Sequence, residues 1–170
     1  LHSGSDSILK WMRRRYDSKL YKSRIEKINQ LIPDASIGAD VIVGFPGEND
    51  DLFLESMDFI DNLNISYLHV FSYSERDNTH AIKLPKTVEL NIRSKRSKLL
   101  RILSSRKKST FYNKFLGTTH DVLFESEEKN GFIEGFSSNY LRFRKKWDSK
   151  VAGMIVKSRF NKIDSEGYAT

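Results

Sequence analysis

The chain has 170 residues, with 29 Lys and Arg against 22 Asp and Glu, a net charge of +7 and no cysteine. That length accommodates one domain or two small ones around a real core. The missing cysteines exclude disulfides, thiolate nucleophiles and any iron–sulfur cluster held by this chain's own thiolates. No apolar run is long enough to span a bilayer and no signal-peptide pattern appears, so a soluble cytoplasmic protein with no membrane partner is the expectation. Four scattered histidines, none paired at helix spacing, do not make a zinc site.

The charge is unevenly spread. Residues 1–32 carry 8 basic and 3 acidic side chains, residues 33–86 carry 3 and 10, residues 87–116 carry 9 and 1, and residues 117–170 carry 9 and 8. An acidic middle between two basic segments points to a polyanionic partner held at one side of the molecule, with nucleic acid the natural class.

In chain order, Ser3 or Ser5 is a suitable N-cap for a helix with Ile8, Leu9, Met12 and Tyr16 on one side. Arg13, Arg14 and Arg15 fall in its last turn, where cations complement the helix dipole, either as a solvated helix end or as a binding group. A second helix, about Lys19 to Ile32, places Leu20, Ile25, Ile28 and Leu31 near helical spacing before Pro33 stops it.

The stretch that organises the rest runs from Ile37 to Glu48. A β-branched run, Val41 to Val43, halts at Gly44, and Pro46-Gly47 signals a turn. Asn49, Asp50 and Asp51 then open an apolar-periodic helix through Phe53, Met57 and Ile60. Strand, Gly/Pro loop and helix form the kind of unit whose strand end holds ligands in α/β folds. Glu48, Asp50 and Asp51 would repel a phosphate there, and no Lys follows the glycines. A neutral or cationic ligand, such as a nucleoside or a sulfonium, fits better, and a plain structural turn is the alternative.

Ile65 to Tyr73 reads as a second strand, apolar on both faces as in a covered parallel sheet, with His69 a core histidine rather than a catalyst. Ser74 to Lys86 is a polar loop at the same strand end as Gly44 to Glu48. A basic helix follows, Val88 to Leu116, with Val88, Ile92, Leu99, Leu103 and Phe111 towards one side and Gly117 ending it. Two strands cannot close a barrel, so residues 1–117 read as the back part of a larger α/β domain.

From Thr118 the texture becomes all-β. Short alternating runs at Asp121–Glu125, Gly131–Phe136, Tyr140–Arg144 and Met154–Phe160 have the pattern of a small antiparallel barrel over 118–170. Tyr140, Arg142 and Arg144 share a face of the third run, with Lys145, Lys146 and Trp147 just beyond and Asn139 just before. Interleaved aromatic and cationic groups suit single-stranded RNA, while an ordinary solvated strand face is the plainer alternative.

Three segments together resemble the methylthiotransferase branch of the radical S-adenosylmethionine enzymes. They are Leu1–Asp6 running into Met12-Arg13-Arg14-Arg15-Tyr16, then Gly38–Glu48, then His69–Arg76, in matching order and spacing. Met-Arg-Arg-Arg-Tyr and Leu-His-Val-Phe look most like the enzymes acting on tRNA threonylcarbamoyladenosine, and less like those acting on isopentenyladenosine or on a ribosomal protein. The last 50-odd residues resemble that family's TRAM domain, an OB-like RNA-binding barrel.

The resemblance implies half of a partial TIM barrel followed by the small β-barrel. S-adenosylmethionine would sit at Ser3, Ser5, Arg14, Asp40, Gly44, Phe45, Pro46, Gly47, Glu48, Tyr73 and Ser74, with Arg14 on its carboxylate. Arg76, Asn139, Tyr140, Arg142, Arg144, Lys145 and Lys146 would bind RNA. It further implies a tRNA anticodon stem–loop as partner, not DNA, and two 4Fe–4S clusters in the full-length enzyme, neither ligated here. His2 stands where that family has glutamine, Glu75, Asp77, Asn78 and His80 replace a Pro/Gly-rich turn, and the CxxxCxxC loop and amino-terminal cluster domain are missing. The chain thus reads as the carboxyl-terminal portion of such an enzyme, inactive by itself and needing its amino-terminal half. Two alternatives stand beside it: a non-catalytic RNA-binding module, and an unrelated α/β enzyme with a nucleotide at Gly44 to Glu48.

Overall fold

The first helix, α1 (Asp6–Trp11), stops sooner than its apolar periodicity predicts. In the computed structural model, which describes residues 1–170, Arg13 adopts a left-handed φ of 55°. The Arg13 N–H donates to Lys10 O and the Arg14 N–H to Leu9 O, both at 2.9 Å. This is a Schellman C-cap, so the arginine run lies beyond the helix and not in its last turn. Ser5 holds the N-cap position without a side-chain bond.

The second helix, α2 (Ser18–Leu31), begins where Asp17 accepts from the Leu20 N–H at 2.7 Å. Of its four expected core residues only Ile25 is buried; Leu20, Ile28 and Leu31 are exposed. Strand β1 (Gly38–Val43) then feeds helix α3 (Asp50–Asp61), whose cap Asn49 accepts from the Leu52 N–H at 2.9 Å. Phe53 and Ile60 are buried as the spacing requires, and Met57 packs at the edge of the same cluster. Strand β2 (Tyr67–Ser72) pairs parallel with β1, placing Asp40 opposite His69 and Ile42 opposite Phe71. The α/β class holds, and these two strands do not by themselves form a barrel.

The β1–β2 sheet is covered on one face only. Ala39, Val41, Val43, Leu68 and Val70 enter the core with Leu100 and Leu103. On the other face His69 is exposed and Phe71 is 53% exposed. Alternation reports which residues share a face, not whether anything covers it, so the expected doubly covered strand and core histidine are both corrected.

Helix α4 (Leu90–Asn113) is slightly shorter than expected. Its buried stripe carries charge: Arg93, Arg96 and Lys107 are buried alongside Leu100 and Leu103, whereas Leu99 is exposed. Lys107 Nζ donates to Asp61 O at 2.9 Å and to Leu63 O at 2.7 Å, satisfying carbonyls at the end of α3. The acidic block finds its partners here. Glu48 and Asp50 pair with Arg96, Asp61 with Arg106 and Glu75 with Arg93. Of these pairs only Arg96–Glu48 is buried on both sides.

The chain divides into two compact units, Leu1–Lys108 and Ser109–Thr170. The second holds a curled antiparallel sheet of β3 (Thr119–Lys129), β4 (Phe132–Ser137), β5 (Arg142–Lys146) and β6 (Ile155–Arg159), in the order β5-β4-β3-β6. Val122, Phe124, Ile133, Leu141, Phe143 and Phe160 fill its concave side with Phe111, Tyr112 and Phe115. The last residues reach across its edges. The Ala169 N–H donates to Arg142 O at 2.8 Å, the Arg144 N–H to Ala169 O at 3.0 Å and the Asn161 N–H to Thr170 O at 3.0 Å.

Candidate functional site

The carboxyl ends of β1 and β2 carry the first unit's main cavity, about 540 Å³. It is lined by Ile42, Phe45, Phe71 and Tyr73, together with Trp11, Arg14, Ser74, Arg76, Thr79 and His80. The Phe45 and Tyr73 rings meet edge to face at 5.4 Å, and the buried Tyr73 hydroxyl has no hydrogen-bond partner. A smaller cleft of about 220 Å³ adjoins it, lined by Trp11, Pro46, Gly47, Leu84, Pro85 and Lys86. The Gly47 N–H donates to Lys86 O at 2.9 Å, tying the polar loop to the Gly/Pro loop at one strand end, as the sequence reading has it.

The Gly44–Glu48 loop is shaped from behind. Gly44 has φ +74°, and a Cβ there would overlap the Arg93 side chain. The Glu48 carboxylate turns back to accept the Gly44 N–H at 2.8 Å and is itself buried. Burial pushes Glu48 up, opposed by the Gly44 hydrogen bond and by Arg96. Arg96 Nη1 lies 2.8 Å from Oε1 of Glu48 and Nη2 lies 2.7 Å from Oδ1 of Asp50. Arg93 donates to Val88 O and Tyr73 O, each at 2.8 Å, and forks onto Glu75 at 3.1 and 2.5 Å. Glu75 is held below the usual carboxylate range, chiefly by that Arg93 bond.

Glu48 and Asp50 are paired to Arg96, and the cavity wall holds Arg13, Arg14 and Arg76 with no carboxylate.

The cavity brings together Arg14, Phe45, Tyr73, Ser74 and Arg76 from the residues singled out in the sequence, while Pro46 and Gly47 line the adjoining cleft. Gly44 and Glu48 stand behind them. Ser3, Ser5 and Asp40 lie elsewhere. Ser3 and Ser5 are fully buried; Ser3 Oγ accepts from the Ser5 N–H at 3.2 Å, and Ser5 Oγ has no partner. Asp40 is exposed on the open sheet face, across from His69. Trp11, Phe71, Arg93 and Arg96 were not singled out. The available signal for the last two was charge on the stripe that carries Leu100 and Leu103, facing an acidic loop.

In the second unit β5 presents alternate side chains outward. Arg142 pairs across with Phe136, Arg144 with Glu134 and Lys146 with Phe132, while Lys145 lies on the other side, its ammonium 5.3 Å from the Phe124 ring. Tyr140 is not on the strand. It sits in the β4–β5 turn at φ 59° with Asn139 beside it, 70% exposed and 6.3 Å from the Phe136 ring. The left-handed turn explains why strand alternation misplaces it.

Arg142 and Arg144 are not free groups. Glu134 is buried and accepts from Arg142 at 2.7 Å and Arg144 at 3.1 Å, and both guanidiniums stack on Tyr168. Burial raises Glu134, but hydrogen bonds from Tyr168, Arg142 and Arg144 outweigh it and draw it down to about 2. Leu123, Phe136 and Ile155, aligned across β3, β4 and β6, add an exposed apolar row beside Tyr140. Phe132 and Phe136 lie within the Gly131–Phe136 run, whose alternation does not mark which face is exposed.

The Bacillus subtilis threonylcarbamoyladenosine tRNA methylthiotransferase MtaB is 36% identical over 173 residues, covering 99% of this chain and 38% of that protein. The chain is a relative of the tRNA methylthiotransferases. A tRNA-2-methylthio-N(6)-dimethylallyladenosine synthase from Vesicomyosocius okutanii is 34% identical over 95% of the chain and 37% of its own length. The Aquifex aeolicus MtaB is 34% identical over 91% of the chain and 37% of its own length. This methylthiotransferase relative therefore spans well under half the length of the curated proteins it matches. No family model matches it.

Proposed function

We propose that the chain is the carboxyl-terminal portion of a tRNA methylthiotransferase that modifies threonylcarbamoyladenosine beside the anticodon. The observation that carries this reading is the similarity to MtaB over 99% of the chain. The cavity supports it, because its residues fit S-adenosylmethionine. Arg14 offers a guanidinium to the carboxylate, and Phe45, Phe71 and Tyr73 offer apolar and aromatic surface to the adenine. When bound, S-adenosylmethionine supplies the radical and methyl chemistry of methylthiolation.

The residues here bind and orient. The iron–sulfur clusters this activity requires take their thiolates from outside these residues, since the chain has no cysteine. On this reading residues 1–117 wall one side of the cofactor site. The β unit holds the anticodon stem–loop through the exposed Tyr140 and Phe136, with Lys146 on phosphates.

Nucleoside mass spectrometry of tRNA from cells lacking the gene tests the substrate. Loss of 2-methylthio-threonylcarbamoyladenosine, with the isopentenyl counterpart retained, is expected. The opposite pattern would transfer the assignment to the dimethylallyladenosine type.

A further inference from the structure

Arg96 touches no part of the cavity, yet it is buried against the loop that forms one cavity edge. We infer that Arg96, with Arg93 one turn before it, is a positioning residue that holds the Gly44–Glu48 loop in its ligand-facing shape from behind. The inference rests on the proposed cofactor reading for its functional meaning and on the loop geometry for its mechanism.

The Glu48 N–H closes the turn on Phe45 O at 2.9 Å, and the two ends of the loop are joined by one hydrogen bond, from Gly44 N–H to Glu48 Oε1. That bond is strong only while Glu48 is ionised, because a carboxylate accepts from an amide more strongly than a carboxylic acid does. An ionised carboxylate buried as Glu48 is needs a partner. Arg96 is that partner. It donates twice from Nη1, to Oε1 at 2.8 Å and to the Glu48 carbonyl at 3.0 Å, so it fixes both side chain and backbone of the last loop residue. Its Nη2 is anchored on Asp50 at the start of α3, and the Phe53 ring lies 5.3 Å from the guanidinium.

Arg93 holds the other end. Its aliphatic chain fills the space that a Cβ on Gly44 would need, and its guanidinium carries the Tyr73 carbonyl and Glu75 of the neighbouring loop. The charged groups facing Glu48 are thus Arg96 from α4 and, through Arg96, Asp50, with Arg93 beneath Gly44. Phe45, Pro46 and Gly47, the residues that face the ligand space, hang between these two fixed points.

The test follows the Gly44 amide resonance of the full 170-residue chain labelled with nitrogen-15, between about pH 5 and pH 8. In the unsubstituted protein this resonance is expected to hold a constant, hydrogen-bonded position. In Arg96→Gln, Glu48 loses its counter-charge, so the resonance is expected to move with a midpoint inside that range, and Arg96→Lys restores the flat profile. Glu48→Gln keeps an acceptor but no charge, and gives a displaced, pH-independent resonance; it serves if Arg96→Gln does not fold. A flat, unshifted Gly44 resonance in Arg96→Gln, or an unmoved one in Glu48→Gln, would overturn the inference. S-adenosylmethionine affinity is expected to fall about tenfold in Arg96→Gln and to recover in Arg96→Lys, about one hydrogen bond's worth of positioning. Failure of the unsubstituted chain to bind S-adenosylmethionine would count against the proposed function, whereas the amide titration decides the role of Arg96 by itself.

Discussion

Replacing Gly44 by alanine separates two costs that usually come mixed. The backbone cost arises because φ is +74°, where an L-residue loses roughly 1–2 kcal/mol. The contact cost arises because the new methyl overlaps Arg93, whose buried guanidinium holds Val88 O, Tyr73 O and Glu75. Moving it forfeits at least one charge-assisted bond, roughly 1.5–3 kcal/mol, so Gly44→Ala is expected to cost about 2.5–5 kcal/mol. Gly117 is the control, with φ +80° and nothing near its missing Cβ, so Gly117→Ala incurs the backbone cost alone. Urea unfolding of the full chain reads the first variant through Trp11, which packs on Gly47, in a Trp147→Phe background. The second is read through Trp147, which packs on the core of the other unit. If Gly44→Ala costs no more than Gly117→Ala, Arg93 does not brace the loop as described.

Three other outcomes follow from the second unit. Glu134 is held at about 2 against an ordinary 4.5, so its stabilising contribution is complete above about pH 4.5 and is lost as the pH falls towards 2. That window is worth on the order of 2–3 kcal/mol, and Glu134→Gln should flatten the acid limb of a Trp147-monitored pH titration; an unchanged limb would rule out the network as its source. Tyr140→Ala, at a 70% exposed turn position, should leave stability within about 0.5 kcal/mol. The same change should weaken anticodon stem–loop binding by roughly 5- to 100-fold in fluorescence anisotropy, the loss of one stacked base; undiminished affinity would dismiss the stacking role. Arg144→Ala should instead lower the melting temperature of the unit, because it strips a partner from buried Glu134.

The strand–loop–helix unit was legible because each signal in it is local: the Val41–Val43 run, the Gly44 stop and the Asn49 cap. The early end of α1 was not, since its stop residue is Arg13, a left-handed position with no glycine to mark it. Helix α4 was legible as a basic helix, but the placement of its charges was not. Arg93, Arg96 and Lys107 turn out to lie on the buried stripe, where acids and carbonyls from earlier in the chain meet them. The open β1–β2 face was misread for a related reason, because a strand with two apolar faces carries no mark of which one is left bare. At the candidate site, the cavity residues Arg14, Phe45, Tyr73, Ser74 and Arg76 were named from motif and order. The arginines that brace the loop come from 45 or more residues later and appear only when α4 is packed. The proposed RNA face was half legible: Arg142 and Lys146 follow from strand alternation, whereas Phe136 and Tyr140 meet only through a turn whose backbone sign no pattern reveals.

The central claim is that the strand-end cavity takes S-adenosylmethionine, and amide shift mapping of the labelled chain during titration with that compound tests it most directly. Shifts are expected to cluster at Arg14, Phe45 to Gly47 and Tyr73 to Arg76, the residues lining the cavity and its adjoining cleft. Shifts confined to the second unit would contradict it.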